Sequence, residues 1–321
     1  MRHFCTYFDH HYLPRALALY DSLRRHGDAF RLWVLCLSPE CESSLRQLAL
    51  PELKLIPLET LEQHDLELLK VKPQRSRIEY YFTCSPSLPL FVLQADPAID
   101  LLTYIDADLY FFRRPELVFA EIGERSIAIT PHRFPAALRD RERYGIYNVG
   151  WVSWRRDSSG LECLQWWRER CLEWCFDRED KGRFADQKYL DQWPALFSNV
   201  AILEHPGINL APWNLAGHKL GLEGEEILVD GRPLIFFHFH GLKQLSETLY
   251  DPQWSVYKIK PTKLIREKLY RPYLEALRAR RSEMLKSIRA GEEARTESAA
   301  IKTRFNRWRG AWKGKYLRAP K

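Results

Sequence analysis

The sequence has no run of eighteen apolar residues, which excludes a transmembrane helix. Its opening, MRHFCTYFDHHYLPRAL, is broken by polar side chains and Asp9, so no apolar signal core forms there. Cysteines are few and unpaired: seven, at 5, 36, 41, 84, 163, 171 and 175, with no C-x-x-C. That odd count argues against a disulfide framework or a zinc ribbon and fits a reducing cytoplasm. Internal repeats and low-complexity segments are also missing. What is present is globular: 321 residues, 45% hydrophobic and 28% charged, enough chain to bury a large core.

The net charge of +7 conceals an asymmetry. Residues 258–321 carry 20 Lys/Arg and 6 Asp/Glu, whereas residues 1–257 carry 29 and 36. An acidic catalytic body at 1–257 and a basic helical tail at 258–321 are therefore predicted. Pro272 suits the first turn of a helix running to about Ala290, with Gly291 as its stop. Beyond it, Ile301, Phe305, Trp308, Trp312 and Tyr316 recur every three or four residues among Arg and Lys. Aromatic residues on one face and cations on the other suit a helix lying on an anionic membrane surface. The tail also raises nucleic acid as a partner, but the acidic body argues against it.

The first half alternates strand-like and helix-like segments. His3–Phe8, Phe30–Leu37, Leu53–Ile56 and Leu101–Ile105 read as strands; Leu13–His26, Pro39–Leu48 and Ser87–Gln94 read as helices. Further on, Ser126–Thr130, Gly150–Trp154 and Leu234–Phe239 read as strands, and Gly160–Cys175 and Asp186–Trp193 as helices. This is the rhythm of an α/β fold with a mostly parallel sheet, in which ligands bind off the carboxyl ends of strands.

Four motifs stand near such ends. In Tyr104-Ile-Asp106-Ala-Asp108 two carboxylates leave a strand at positions i and i+2, which point the same way on extended backbone. Such a pair invites a hard cation, Mg²⁺ or Mn²⁺, able to take diphosphate oxygens. Alone, D-x-D is common and also suits a turn or cap; its place after LLTYI raises it above chance. Phe236-Phe-His238-Phe-His240-Gly241-Leu-Lys243 ends a strand with two imidazoles, which spacing alone would leave without a metal. Asp186-Gln187-Lys188-Tyr-Leu by itself reads as a helix cap, and Tyr147-Asn148-Val-Gly150 as a turn entering a strand.

Taken together and in order, these four resemble the family 8 glycosyltransferases, the group holding glycogenin and bacterial galactosyltransferases of lipooligosaccharide synthesis. That family reads Y-L-D-x-D, F-N-x-G, D-Q-D-x-L and H-x-x-G-x-x-K-P-W, and the likeness covers roughly residues 1–245. The resemblance implies a GT-A fold and transfer of a hexose from a nucleotide-diphospho-sugar, a UDP-sugar, to a glycan or lipid-linked acceptor. It implies Mn²⁺ or Mg²⁺ and retained anomeric configuration. By the same carry-over, Asp106, Asp108 and His238 ligate the metal, and Lys243 reaches the diphosphate. Tyr7, Asp9 and His11 hold the nucleoside; Asn148 and Asp186 contact the donor sugar; Gln187 lies beneath the anomeric carbon. Membrane docking by the tail and the resemblance together point to a lipid-linked acceptor at the inner face of the membrane.

The chain departs from the family in three places. Lys188 stands where the second Asp of D-Q-D belongs, Gln244-Leu245 replaces P-W, and no basic residue lies between Tyr80 and Leu93. Lys72, Arg75 and Arg77 are the nearest substitutes for that missing cation. An inverting transferase would instead need a carboxylate base, for which Glu79 and Asp191 are the nominees. Trp213 and Asn214 are candidates for sugar contact, His132–Phe134 for the acceptor cleft. Cys163, Cys171 and Cys175 share one helical face and read as buried thiols.

Overall fold

The computed structural model describes residues 1–26, 29–292 and 316–319. Its centre is a seven-stranded sheet of β1 (Arg2–Phe8), β2 (Phe30–Cys36), β3 (Leu53–Pro57), β4 (Leu101–Ile105), β6 (Ile127–Pro131), β7 (Tyr147–Arg155) and β8 (Val200–Ile202), with the short β5 (Leu109–Phe111) outside it. The order is β3-β2-β1-β4-β7-β6-β8. Neighbours run parallel except around β7, which is antiparallel to both β4 and β6. The mostly parallel α/β sheet expected from the sequence is therefore present.

Strand faces follow the residue alternation. Along β1, Phe4 and Phe8 enter one apolar cluster and Cys5 enters the other. Helix Leu13–His26 covers the first face, and helices Arg77–Ala95 and Ser158–Glu173 cover the second. Trp154, Trp167 and Trp193 meet on that second face with ring centroids 5.5–6.1 Å apart. Sheets buried on both sides carry continuous apolar strands, and β2 and β4 show it: only Arg31 and Leu101 are not fully buried.

Several boundaries differ from the sequence expectation. The helix expected at Ser87 starts at Arg77, because Ser76 and Glu79 form a capping box and packing overrides Pro86 and Pro89. The segment expected as a helix at Asp186–Trp193 is a 3₁₀ turn, Gln187–Gln192, followed by the short helix Trp193–Leu196. The strand expected at Leu234–Phe239 is only Phe236–His238, antiparallel to β5.

A π-helical stretch, Ile265–Tyr270, leads into helix Arg271–Glu292, which runs through the expected stop at Gly291. Leu269, Tyr270, Tyr273, Leu274 and Leu277 are buried against Tyr110, Phe237 and Phe239 of the body. Arg280 pairs with Asp21 of helix Leu13–His26. Ile301, Phe305, Trp308 and Trp312 lie outside the described residues. Leu317–Arg318 forms an edge strand on Leu249–Asp251.

Candidate functional site

Three strand ends converge at one edge of the sheet. β1 ends at Phe8, before Asp9; β4 ends at Ile105, before Asp106. Because β7 is antiparallel, its beginning, Tyr147 and Asn148, lies at that same edge, and the Asp106 amide donates to Gly150 O at 3.2 Å. The chain then turns into β5, whose pairing with Phe236–His238 places His238 opposite Leu109. The Phe239 amide donates to Asp108 O at 3.0 Å, closing the corner. A long-range pairing thus brings the two aspartates to the histidine.

His238 Nε2 lies 3.1 Å from Asp108 Oδ1 and 3.5 Å from Asp106 Oδ2. Asp106, Asp108 and His238 offer one ligand atom each, all within 4.8 Å of one another. Two carboxylate oxygens and an imidazole nitrogen are a donor set suited to a divalent cation. The electrostatics point the same way. Burial and the neighbouring Asp108 raise the Asp106 carboxyl, although His238 draws it down. The same histidine holds Asp108 below the ordinary carboxylate range despite its burial. His238 is itself raised, its burial outweighed by the two acids. Tyr104 O–H donates to Asp106 Oδ1 at 2.9 Å.

The imidazole is set by a chain of amides. Its Nδ1 lies 3.3 Å from Asn209 Oδ1; Asn209 Nδ2 donates to Asn148 Oδ1 at 3.1 Å, which also accepts from Gly150 N at 3.0 Å. Asn148 Nδ2 donates to Gln187 Oε1 at 3.1 Å. Gly150 has no alternative here: a Cβ would lie 2.6 Å from Asn148 Oδ1 and 2.7 Å from His238 Nδ1. The glycine of the Tyr147–Gly150 motif is thus required by the histidine of a distant one.

Around this cluster lies a cavity of about 710 Å³. It is lined by nine of the ten site residues predicted from sequence: Tyr7, Asp9, His11, Asp106, Asp108, Asn148, Asp186, Gln187 and His238. Tyr7 packs against Tyr104 and its hydroxyl meets Ser85 at 3.0 Å. Asp9 Oδ1 accepts the His11 amide at 3.0 Å. Asp186 is 5% exposed, and burial pushes its carboxyl up to about 7. The tenth residue, Lys243, does not reach the cavity; it is exposed on a two-residue strand paired with Leu249–Asp251. Gly241, at φ 70°, turns the chain away two residues earlier.

The structure also separates the other candidates. Of Lys72, Arg75 and Arg77, only Arg77 lines the cavity. Lys72 pairs with Glu62, and Arg75 stacks on Phe176 and donates to Leu172 O. Glu79 caps its own helix and accepts the Asp177 amide, and Asp191 accepts the Ile146 amide; neither lines the cavity. Trp213 lines it, edge-on to His238 at 4.9 Å, but Asn214 is fully buried in hydrogen bonds to Ala211, His132 and Asn209. His132 and Phe134 line it, stacked at 4.7 Å, and burial drives the His132 imidazole down to about 3, so it is neutral at pH 7. The seven cysteines are free and buried.

Sequence reasoning missed Arg141, Tyr144, Phe184 and Tyr257, which complete the walls. Arg141 lies over the Tyr257 ring, 5.1 Å from its centroid. Arg77 and Arg141 are the Lys or Arg side chains that line the cavity among the described residues. No local pattern marks them, since the 3₁₀ run Ala136–Tyr144 has Leu138 as its buried residue and no periodicity to read.

No family model matches the chain. Among solved structures it aligns with the galactosyltransferase LgtC in complex with donor and acceptor sugar analogs, at 14% identity and TM-score 0.47, over 74% of this chain and 87% of that one. It also aligns with mouse xyloside xylosyltransferase 1, at 14% identity and TM-score 0.46, over 74% and 97%. Likeness of that size carries no argument about chemistry. Sequence relatives are nearer. The uncharacterized protein YfnF of Bacillus subtilis (strain 168) is 34% identical over 261 residues, 76% of this chain and 86% of that protein. The uncharacterized protein YfnD of the same organism is 30% identical over 275 residues, 85% and 87% respectively. The chain belongs to the family of YfnF and YfnD.

Proposed function

We propose that the protein is a glycosyltransferase that moves a hexose from a UDP-sugar to a hydroxyl of a glycan or lipid-linked acceptor, with retention and with a divalent metal, Mn²⁺ or Mg²⁺. The observation that carries this reading is the ligand set Asp106, Asp108 and His238 on a 710 Å³ cavity that also holds Tyr7, Asp9, Asn148, Asp186 and Gln187. Aromatic and polar walls beside a metal set suit a nucleotide sugar. The metal, when bound, supplies positive charge next to the departing diphosphate. Arg77 and Arg141, rather than Lys243, are the cations available to the phosphates.

The remaining steps belong to the chain's own groups. Tyr7 and Asp9 flank the nucleoside. Asp186 accepts a donor-sugar hydroxyl, its backbone oxygen pinned by Trp167 Nε1 at 2.8 Å. Gln187 is held at both ends, by Asn148 and by Tyr144 O, so it presents a fixed amide and no nucleophilic oxygen. Lys188 pairs with Asp191 outside the cavity, and Asp186 is the carboxyl next to Gln187. The two nominees for an inverting base, Glu79 and Asp191, are occupied elsewhere. A front-face route follows, in which the leaving phosphate takes the acceptor's proton. Location at the inner face of the membrane belongs to the same proposal, supported by the basic composition of residues 258–321.

Calorimetric titration with UDP, GDP, CMP and ADP, each with and without Mn²⁺, tests the reading. Metal-dependent binding of UDP alone is expected, with loss of that dependence in Asp108→Ala. Metal-dependent binding of GDP instead rejects the donor assignment, and binding of none rejects the enzyme. An inverted product anomer, read by NMR, rejects the front-face route.

A further inference from the structure

The segment between β6 and β7 forms one wall of the cavity and delivers Arg141 and Tyr144 to it. Little of its own chain anchors it, since Leu138 is the buried side chain of Ala136–Tyr144. It is tied instead to the 3₁₀ turn Gln187–Gln192. Lys188 Nζ donates to Glu142 O at 2.8 Å and pairs with Asp191 Oδ2 at 2.8 Å. The other oxygen of Asp191 accepts the amides of Ile146, at 2.7 Å, and Tyr147, at 3.4 Å. Gln187 Nε2 donates to Tyr144 O at 3.2 Å. Gly145, at φ 140°, allows this approach: a Cβ there would lie 3.1 Å from Gln187 Cγ.

Neither Lys188 nor Asp191 lines the cavity, and their side chains are only 19% and 14% exposed. The pair is therefore sheltered from the screening that weakens surface ion pairs. Each member also holds backbone groups of the wall. Removing either strands a largely buried charge; loss of Lys188 frees Glu142 O before Gly145, and loss of Asp191 frees the Ile146 and Tyr147 amides after it.

We propose that Lys188 and Asp191 are positioning residues, an ion pair outside the cavity that fixes the Ala136–Tyr147 wall and so sets where Arg141 and Tyr144 meet the ligand. The identity of that ligand rests on the transferase reading; the tie itself does not.

The test uses the full chain and the variants Lys188→Met, Asp191→Ala and Lys188→Arg. Two readouts need no ligand: hydrogen exchange of the Ile146 and Tyr147 amides, and tryptic cutting at Arg139, Arg141 and Arg143. Both are expected to rise about tenfold in the first two variants, with the rest of the chain unchanged and Lys188→Arg near wild type. UDP with Mn²⁺ is expected to bind about tenfold more weakly in the same two, and donor KM to rise while kcat changes less. Folded variants with wild-type exchange and cutting overturn the tie. Faster exchange with unchanged UDP affinity overturns the positioning role. If Asp191→Ala does not fold, Asp191→Asn takes its place, since it removes the charge and keeps an acceptor. A wild type that binds no nucleoside diphosphate overturns the transferase reading instead, and the exchange data still decide the tie.

Discussion

At the scale of single residues, Asp186 and Gly150 show how the site strains its surroundings. Asp186 is buried with a carboxyl near 7, whereas the unfolded chain would titrate it near 3.8. The folded state thus binds more protons between those values, and this group's contribution to stability is full below about pH 4 and is lost as pH rises to about 7. Asp186→Asn should therefore unfold at higher temperature than wild type at pH 8, by roughly 4 kcal/mol at most. The difference should vanish near pH 4, and donor turnover should fall at every pH. Calorimetric melting across that range checks it; an Asn variant no more stable at pH 8 would mean the charge is better solvated than its burial implies. Gly150→Ala pushes a methyl into Asn148 and His238, and overpacking of this kind costs about 1–3 kcal/mol. Its sharper signature, on the proposed function, is a loss of Mn²⁺ affinity with Asp106, Asp108 and His238 unchanged, measured by titration.

At the scale of elements, the buried pair of Asp65 and Arg168 ties the start of helix Leu66–Val71 to helix Ser158–Glu173. Asp65 also caps its own helix at Leu68 and accepts from Ser87 at 2.8 Å. Arg168→Ala strands that carboxylate and should cost about 3–5 kcal/mol in urea unfolding, with activity at low temperature retained. Elements are also where legibility varied. β2 and β4 were readable because both faces are covered, which makes them unbroken apolar runs. Helix Leu13–His26 was readable from its one buried stripe. The Asp-x-Asp and the histidine were readable as motifs, but their meeting was implied only by the family resemblance, because it depends on a three-residue pairing of β5 with Phe236–His238. Lys243 shows the converse: motif spacing suggested a site residue, and the turn at Gly241 sends it to solvent. Arg141 lies on a stretch that neither buries a stripe nor matches a motif, so only the fold reveals it.

At the scale of the whole molecule, the described end of the chain returns to the body. Leu317 and Ala319 are buried in the same cluster as Tyr250 and Tyr273. Deleting residues 297–321, which removes the basic aromatic stripe, therefore also removes a strand. The truncated protein should lose about 1.5–3 kcal/mol from Leu317 alone, seen as a lower melting temperature, besides any change in retention by anionic vesicles. Alanine at Leu317 separates the two effects, since it lowers melting and leaves vesicle retention as it was. A deletion that binds vesicles less but melts like wild type would show that the strand contributes little.

The corner where β5 meets Phe236–His238 has a consequence of another kind. Its ligands come from Asp108 and His238, far apart in the chain and joined at this corner by only a short ladder. A cation held there would be a reversible clasp on a large loop, with Asp108 and His238 buried around it. Its grip belongs to the native state alone, so the molecule's resistance to heat becomes a gauge of free metal, rising by about 2.7 kcal/mol at a hundred times the dissociation constant. If the proposed transferase holds a cation there, chelation should lower the melting temperature and metal-dependent turnover together.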